Sequence, residues 1–306
     1  MGGDFAPDPN IDGAILAQKE FSEDVRLVLF GDEEKIKKEL ADRSVDAGLF
    51  DITNAPDVVD MGDPATKAIS QKPNSSIALG FHALRKGDID GYASTGNTGA
   101  MLVGSIRYIN TVAGIYRPCI TAALPNVGGG FTIVLDVGIN ADCKPDVLYQ
   151  FAILGSLFAE YVHDITNPKV GLLNIGAEEK KGNLLTQATF EMMNGTKDFN
   201  FVGNVEGRDL LSENIDVIVC DGFTGNVVLK EAEAFYFAFK KRGIEDDYLE
   251  RFNYENYGGS PILGINAPVI IGHGSSNEVA VMNMIKLTKD MVEADLARRI
   301  KIAVAR

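Results

Sequence analysis

The stretches of this chain best suited to chemistry are Gly/Asn/Ser/Thr clusters that close short β-branched runs. Ser94-Thr95-Gly96-Asn97-Thr98-Gly99, Asp136-Val137-Gly138-Ile139-Asn140 and Asn174-Ile175-Gly176 are three of them. Cys220-Asp221-Gly222-Phe223-Thr224-Gly225-Asn226 and Gly272-His273-Gly274-Ser275-Ser276-Asn277 are the others. An open α/β sheet binds ligands outside the carboxyl ends of its strands, so five such loops at that edge outline a crevice. An ordinary, well-capped turn is the alternative for any one of them. Thr95-Gly96-Asn97 and Thr224-Gly225-Asn226 echo each other, each following a strand and opening a helix. Glycine permits close approach of a ligand, and an Asn or Thr cap leaves N–H groups aimed outward, a combination that favours an anion of phosphate size.

Positive charge for such an anion comes from Gly176-Ala177-Glu178-Glu179-Lys180-Lys181-Gly182-Asn183, with one of the two lysines read as solvated. This is not a Walker A loop, because Lys-Gly-Asn stands where Gly-Lys-Ser/Thr is needed, and no strand is followed by G-x-G-x-x-G. Asp4, Asp136 and Asp221 could act as general bases, orient lysine and asparagine side chains, or serve as caps and turn residues. His273, between two glycines, is either a ligand contact or a turn histidine. No Ser-His-Asp or Cys-His arrangement emerges, and Ser275 is not in a G-x-S-x-G elbow. Cys119, Cys143 and Cys220 lack C-x-x-C spacing, and His82, His163 and His273 lack zinc spacing, so reduced thiols and no metal are expected. A chain without a clear protein nucleophile suits a reaction whose substrates supply their own.

These loops must be held by a scaffold. Strand-like runs fall at 25–30, 91–94, 120–124, 131–137, 169–174, 215–220 and 268–271, and helical patterns at 8–23, 75–86, 98–112, 145–163 and 184–193. A long C-terminal helix is expected over 277–304. The alternation predicts a three-layer α/β/α, Rossmann-like fold with a mostly parallel sheet, built as a single catalytic domain over 1–306. Phe235, Tyr236, Phe237 and Phe239 followed by Lys240-Lys241-Arg242 and Glu245-Asp246-Asp247 mark a helical excursion at about 231–257, an interface or a lid.

Bulk properties narrow the partners. At 306 residues and 45% hydrophobic the chain can bury a large core. Its 43 acidic against 29 basic residues leave a net charge of −14, which argues against nucleic acid and other extended polyanions. No 18-residue apolar window and no signal-peptide pattern appear, so the cytoplasm is the expected compartment. Residues 1–7 read as a loop with no strand ahead of it.

At this point the chain resembles the bacterial phosphate acyltransferases, the PlsX family. The likeness runs through residues 1–7, Gly96–Ala100, Arg117-Pro118, Leu135–Asn140, Val170–Gly176, Lys181–Asn183, Gly203–Asp209, Val217–Lys230, Tyr257–Pro261 and Gly272–Asn277. Gly-Asn-Val-Glu-Gly-Arg followed by Cys-Asp-Gly-Phe-Thr-Gly-Asn is the specific part of it. The resemblance implies attack of orthophosphate on a long-chain acyl-acyl carrier protein, giving acyl phosphate and free carrier protein for phospholipid synthesis. It also implies a homodimer with a fold akin to phosphotransacetylases and isopropylmalate dehydrogenases, and no cofactor. Catalytic roles then fall to Lys181, Asp221 and Asn226, with phosphate held by Asn97, Thr98, Gly99, Asn140, Asn183, Arg208, His273 and Ser275. Members of the family also sit on the inner face of the membrane, where hand-over to a membrane glycerol-phosphate acyltransferase follows.

The chain departs from the family pattern in three places. The strand expected ahead of Met1 is missing. Ser70 and Gln71 replace arginines near Ala68, leaving only Lys72, and the segment between Lys230 and Tyr257 is shorter than usual. Three rivals remain open at this level. They are a short-chain acyl-CoA phosphotransacetylase, a nicotinamide-dependent decarboxylating dehydrogenase, and a non-catalytic membrane scaffold. Fold analogy alone does not separate them.

Overall fold

The structure, a computed structural model, describes residues 2–305; Met1, expected in the opening loop, lies outside the described residues. The elements begin α1 (Asp8–Glu20), β1 (Val28–Gly31), α2 (Glu33–Asp42), β2 (Asp51–Asn54), α3 (Ala65–Gln71), α4 (Ser76–Lys86), β3 (Tyr92–Ser94) and α5 (Thr98–Gly104). They continue β4 (Cys119–Pro125), β5 (Phe131–Leu135), α6 (Pro145–Val162), β6 (Lys169–Leu173), α7 (Leu184–Met193), β7 (Asn200–Val205) and β8 (Val217–Val219). The chain closes with α8 (Gly222–Lys241), α9 (Asp247–Glu250), β9 (Ser260–Leu263), β10 (Val269–Ile271), α10 (Glu278–Glu293) and α11 (Leu296–Val304). The chain gathers into two compact units. Unit 1 comprises residues 1–110, 254–260 and 267–292, and unit 2 comprises 111–253, 261–266 and 293–306.

In unit 1, β1 pairs parallel with β2, and β3 pairs parallel with β10. The helix α2, Glu-Glu-Lys-Ile-Lys-Lys-Glu-Leu-Ala-Asp, buries only Ile36 and Leu40, four residues apart on one face. Asp32 caps it by accepting the Lys35 N–H at 3.0 Å. Arg43 fastens α2 to α1, reaching Glu39 at 2.6 Å, Asp12 at 2.5 Å and Asp8 at 2.8 Å. Ile11, Ala14, Leu29, Ile36, Leu40 and Phe50 form the apolar cluster beneath this clamp.

Unit 2 carries strands in the order β9-β4-β5-β8-β6-β7. β5, β8, β6 and β7 are mutually parallel, as expected, and their carboxyl ends share one edge. β4 runs antiparallel to both β5 and β9, making the sheet mixed. The reason is local. Only Asn126-Val127-Gly128-Gly129-Gly130 separates β4 from β5, which suffices for a hairpin but not for a crossover. The helix α6 buries Val147, Leu148, Phe151, Leu154 and Phe158. Gly155 brings its backbone down onto the sheet, where a side chain would strike Val217 and Leu135.

Several elements differ from the sequence expectation. The short strands β2, β7 and β9 and the helices α2 and α3 were not anticipated. β2 is Asp-Ile-Thr-Asn with no fully buried residue, and α2 is too charged to advertise a core face. The long C-terminal helix is two helices, broken where Asp295 takes a left-handed φ of 48°. The segment 231–257 holds the second half of α8, which runs unbroken from Gly222, followed by the short α9. Among the described residues, no helix is long and apolar enough to cross a membrane.

Candidate active site

The carboxyl edge of unit 2 is where most of the anticipated residues meet. Four parallel strands deliver four loops: Asp136–Asn140 after β5, Asp221–Asn226 after β8, Asn174–Asn183 after β6 and Glu206–Arg208 after β7. Such an edge is the general ligand site of α/β sheets.

Asp136 anchors the first loop. Its carboxylate is fully buried and accepts four N–H bonds, from Ile120 at 3.0 Å, Ile139 at 3.4 Å, the Asn140 backbone at 2.6 Å and the Asn140 side chain at 2.9 Å. Asn140 spends its second amide hydrogen on Pro118 O at 2.8 Å. Both of its donors are therefore committed to loop geometry. The second loop rests on the first, with Gly222 N–H donating to Asn140 O at 2.7 Å and Asn226 Nδ2 to Val137 O at 3.2 Å.

Asp221 caps α8, accepting Thr224 N–H and Thr224 Oγ1, each at 2.9 Å. The amide of Asn226 lies in the opening turns of the same helix and is exposed. A 20-residue helix beginning here aims its N-terminal partial charge at this edge.

The lysine loop stands beside them. Lys181 is exposed and makes no ion pair among the described residues, while Asn183 caps α7 by accepting Thr186 N–H at 2.9 Å. Arg208 is exposed and reaches Glu206 at 3.1 Å. Gly182 takes a φ of +96°, and a side chain there would collide with Thr186 and Asn174.

Three thiols surround Asp136. Burial pushes Cys119 and Cys220 well above the ordinary thiol range, and Cys143 is pushed up to about 11, first by burial and then by the Asp136 charge. None is a thiolate nucleophile near neutral pH.

Unit 1 holds the rest of the anticipated set at its own carboxyl edge, where β3 and β10 end side by side. Asn97 is buried and fully engaged. Its Oδ1 accepts Ala100 N–H at 2.8 Å, and its Nδ2 donates to the carbonyls of Asp60, Met61 and Asp63 at 2.9, 3.1 and 3.1 Å. Thr98 and Gly99 follow it in the first turn of α5. His273 packs against Tyr254 with ring centroids 4.4 Å apart and planes tilted by 36°, and the Tyr254 hydroxyl lies 3.1 Å from Ser275 Oγ. The five loops thus divide two and three between the units. Among the described residues, no group of three or more His, Cys, Asp or Glu side chains could hold a metal ion.

Sequence reading overlooked Asn204 and Gln187. Asn204 Nδ2 donates to Glu178 O at 3.0 Å, and Gln187 Nε2 to Lys180 O at 3.2 Å and Gly182 O at 2.9 Å. The available signal was an asparagine near the end of a strand, where that residue type is depleted.

A mixed α/β sheet with capped, glycine-rich loops at its carboxyl edge is the architecture of the phosphotransacetylase-like fold. A phosphotransacetylase from Streptococcus pyogenes superposes with a TM-score of 0.65 at 16% identity, covering 92% of each chain. The family model described as fatty acid synthesis protein matches residues 1–242 and 244–299. A phosphate acyltransferase of Desulforamulus reducens is 44% identical, over 98% of this chain and 94% of that one. One from Dictyoglomus thermophilum is 38% identical over the same shares. The chain belongs to the phosphate acyltransferase family, PlsX, and is an acyltransferase.

Proposed function

We propose that the chain transfers the acyl group of a long-chain acyl-acyl carrier protein to orthophosphate. A phosphate oxygen attacks the thioester carbonyl carbon, a tetrahedral oxyanion forms, and the carbon–sulfur bond breaks. Acyl phosphate and the free carrier thiol result, the thiol taking up the proton that phosphate gives away. The observation that carries this reading is the gathering of Lys181, Arg208, Asp221 and Asn226 on loops after three adjacent parallel strands, β6, β7 and β8.

Phosphate is already a nucleophile, so the enzyme's task is positioning and charge stabilisation. Lys181, with Arg208, supplies cationic charge for phosphate, and Asn183 contributes to the same loop. Asn226 and the first turn of α8 offer N–H donors to the oxyanion. Asp221 orients these groups. Both of its oxygens are hydrogen-bonded to Thr224, which fixes the carboxylate at the start of α8. Asn140 supports the site through Asp136. Thr98, Gly99, His273 and Ser275 stand in unit 1 as candidate phosphate contacts in their own right, and Asn97, its side chain fully engaged, supports Thr98 and Gly99 by holding their loop.

The reading extends to a cytoplasmic homodimer at the inner face of the membrane, passing acyl phosphate to a membrane glycerol-phosphate acyltransferase. Phe235 and Phe237, each 56% exposed on α8, are compatible with a surface of that kind. The test is an assay of palmitoyl carrier protein with orthophosphate, acyl phosphate being trapped by hydroxylamine. Phosphate-dependent product from the wild type, and loss of roughly a hundredfold or more in Lys181→Ala, is the expected result. No product, or equal activity with acetyl-CoA, would sink the reading.

A further inference from the structure

The loop that carries Lys181 is short, exposed and unusually well held. Three side-chain amides from three elements grip four of its carbonyls. Asn204, on β7, holds Glu178 O at 3.0 Å. Asn174, after β6, holds Lys181 O at 3.1 Å, and its own Oδ1 accepts Ile175 N–H at 2.9 Å. Gln187, on α7, holds Lys180 O at 3.2 Å and Gly182 O at 2.9 Å. One bond internal to the loop, Lys181 N–H to Glu178 O at 3.0 Å, completes the frame. Glu178 O is therefore shared between the Lys181 backbone and Asn204.

Asn204 is the informative member. It is 8% exposed, and its Oδ1 has no hydrogen-bond partner in the protein. A buried polar atom without a partner is costly, and a leucine of similar shape would avoid that cost. Asn174 and Gln187 face no such conflict. What Asn204 supplies, and an apolar residue could not, is the donor to Glu178 O.

We propose that Asn204 is a positioning residue, retained against stability, that sets the Lys181 loop through Glu178 O. This rests on the reading of Lys181 as the phosphate-side cation. A lysine on a free loop would spend ordering entropy each time it met its anion, whereas a gripped loop presents it already placed. Gln187 and Asn174 act in the same way from the other two sides.

The experiment compares Asn204→Leu, Asn204→Asp, Gln187→Met and Lys181→Ala with the wild type. The readouts are kcat, the KM for orthophosphate, the KM for palmitoyl carrier protein, thermal melting, and amide exchange over residues 178–183. Asn204→Leu is expected to lower kcat at least tenfold and raise the phosphate KM, with the carrier KM unchanged. Its melting temperature should hold or rise, and exchange at the Lys181 N–H should accelerate. Asn204→Asp, which keeps the shape but loses the donor, should share the kinetic loss. Adding Asn204→Leu to Lys181→Ala should cost nothing further, because one acts through the other.

A merely structural asparagine would lower melting and activity together, and that outcome overturns the proposal. So does an Asn204→Leu enzyme with kcat and phosphate KM within twofold of the wild type while Lys181→Ala is inactive. Full activity in Lys181→Ala would instead remove the reading of Lys181, and the proposal with it. Unchanged exchange at residues 178–183 in Asn204→Leu overturns the grip whether or not the enzyme turns over.

Discussion

The carboxylate of Asp136 accepts both the backbone N–H and the side-chain amide of Asn140, at 2.6 and 2.9 Å, in a fully buried setting. Asn140 O in turn accepts the N–H of Gly222, the first residue of α8. The relationship ties the turn after β5 to the start of the helix that carries Asn226. Asp136→Asn keeps the size but turns an amide N–H donor toward groups that are themselves N–H donors. It should destabilise the protein by about 2–3 kcal/mol and lower kcat more than it raises either KM. Urea unfolding and the acyl phosphate assay check both, and an unaltered kcat would separate this turn from catalysis.

Ile175 and Leu184 bracket the lysine loop and are 83% and 87% exposed, beside the groups read as holding phosphate. Aliphatic side chains so placed suit the methylenes of the acyl group. Leu184→Ser and Ile175→Ser should each lower kcat/KM for palmitoyl substrate by roughly tenfold, with little effect on a butyryl substrate. Parallel losses at both chain lengths would assign these residues elsewhere.

The basic run after the aromatic helix is partly neutralised, because Lys240 pairs with Glu250 at 2.7 Å. Lys241 and Arg242 then carry the free charge. Replacing both with glutamate should raise the KM for an acidic carrier protein about fivefold at low salt, with the difference shrinking as salt rises. A salt-independent KM equal to the wild type would move carrier docking to another surface.

His163 lies edge-on between Phe131 and Phe158, with centroids 4.8 Å from each. Burial lowers its pKa from the ordinary 6.5 to about 4, the Asp164 charge opposing only in part. Between those values the unfolded chain binds the proton and the native one does not. Its contribution is therefore full above about pH 6.5 and is lost as pH falls toward 4, an effect of about 3 kcal/mol. Unfolding free energies measured from pH 7.5 to 4.5 should fall less steeply in His163→Phe than in the wild type. Equal slopes would show that acid lability arises from the carboxylates alone.

The helix caps among the candidate residues carry signals that are local. Asp221, open by sequence between general base, orienting group and cap, caps α8 by accepting Thr224 N–H. Asn97, expected to open a helix, caps α5 by accepting Ala100 N–H, and Asn183, expected as a phosphate contact, caps α7 by accepting Thr186 N–H. Capping depends on residues within three positions, so spacing alone reveals it. Long-range partners are different. That Asn97 would also hold Asp60, Met61 and Asp63, or that Asn140 would spend itself on Pro118, depends on which segments come to lie alongside.

By itself the sequence determined the α/β alternation, the glycine-rich loops at strand ends and the family. These rest on periodicity, cap chemistry and motif runs, all written in adjacent residues. Only the tertiary structure decided the break at Asp295, the division into two units and the grip of Asn204 on the lysine loop. Each of these turns on contacts between residues far apart in the chain or on a single backbone angle. Neither leaves a periodic trace, because packing and hydrogen bonding select them only once the strands have met.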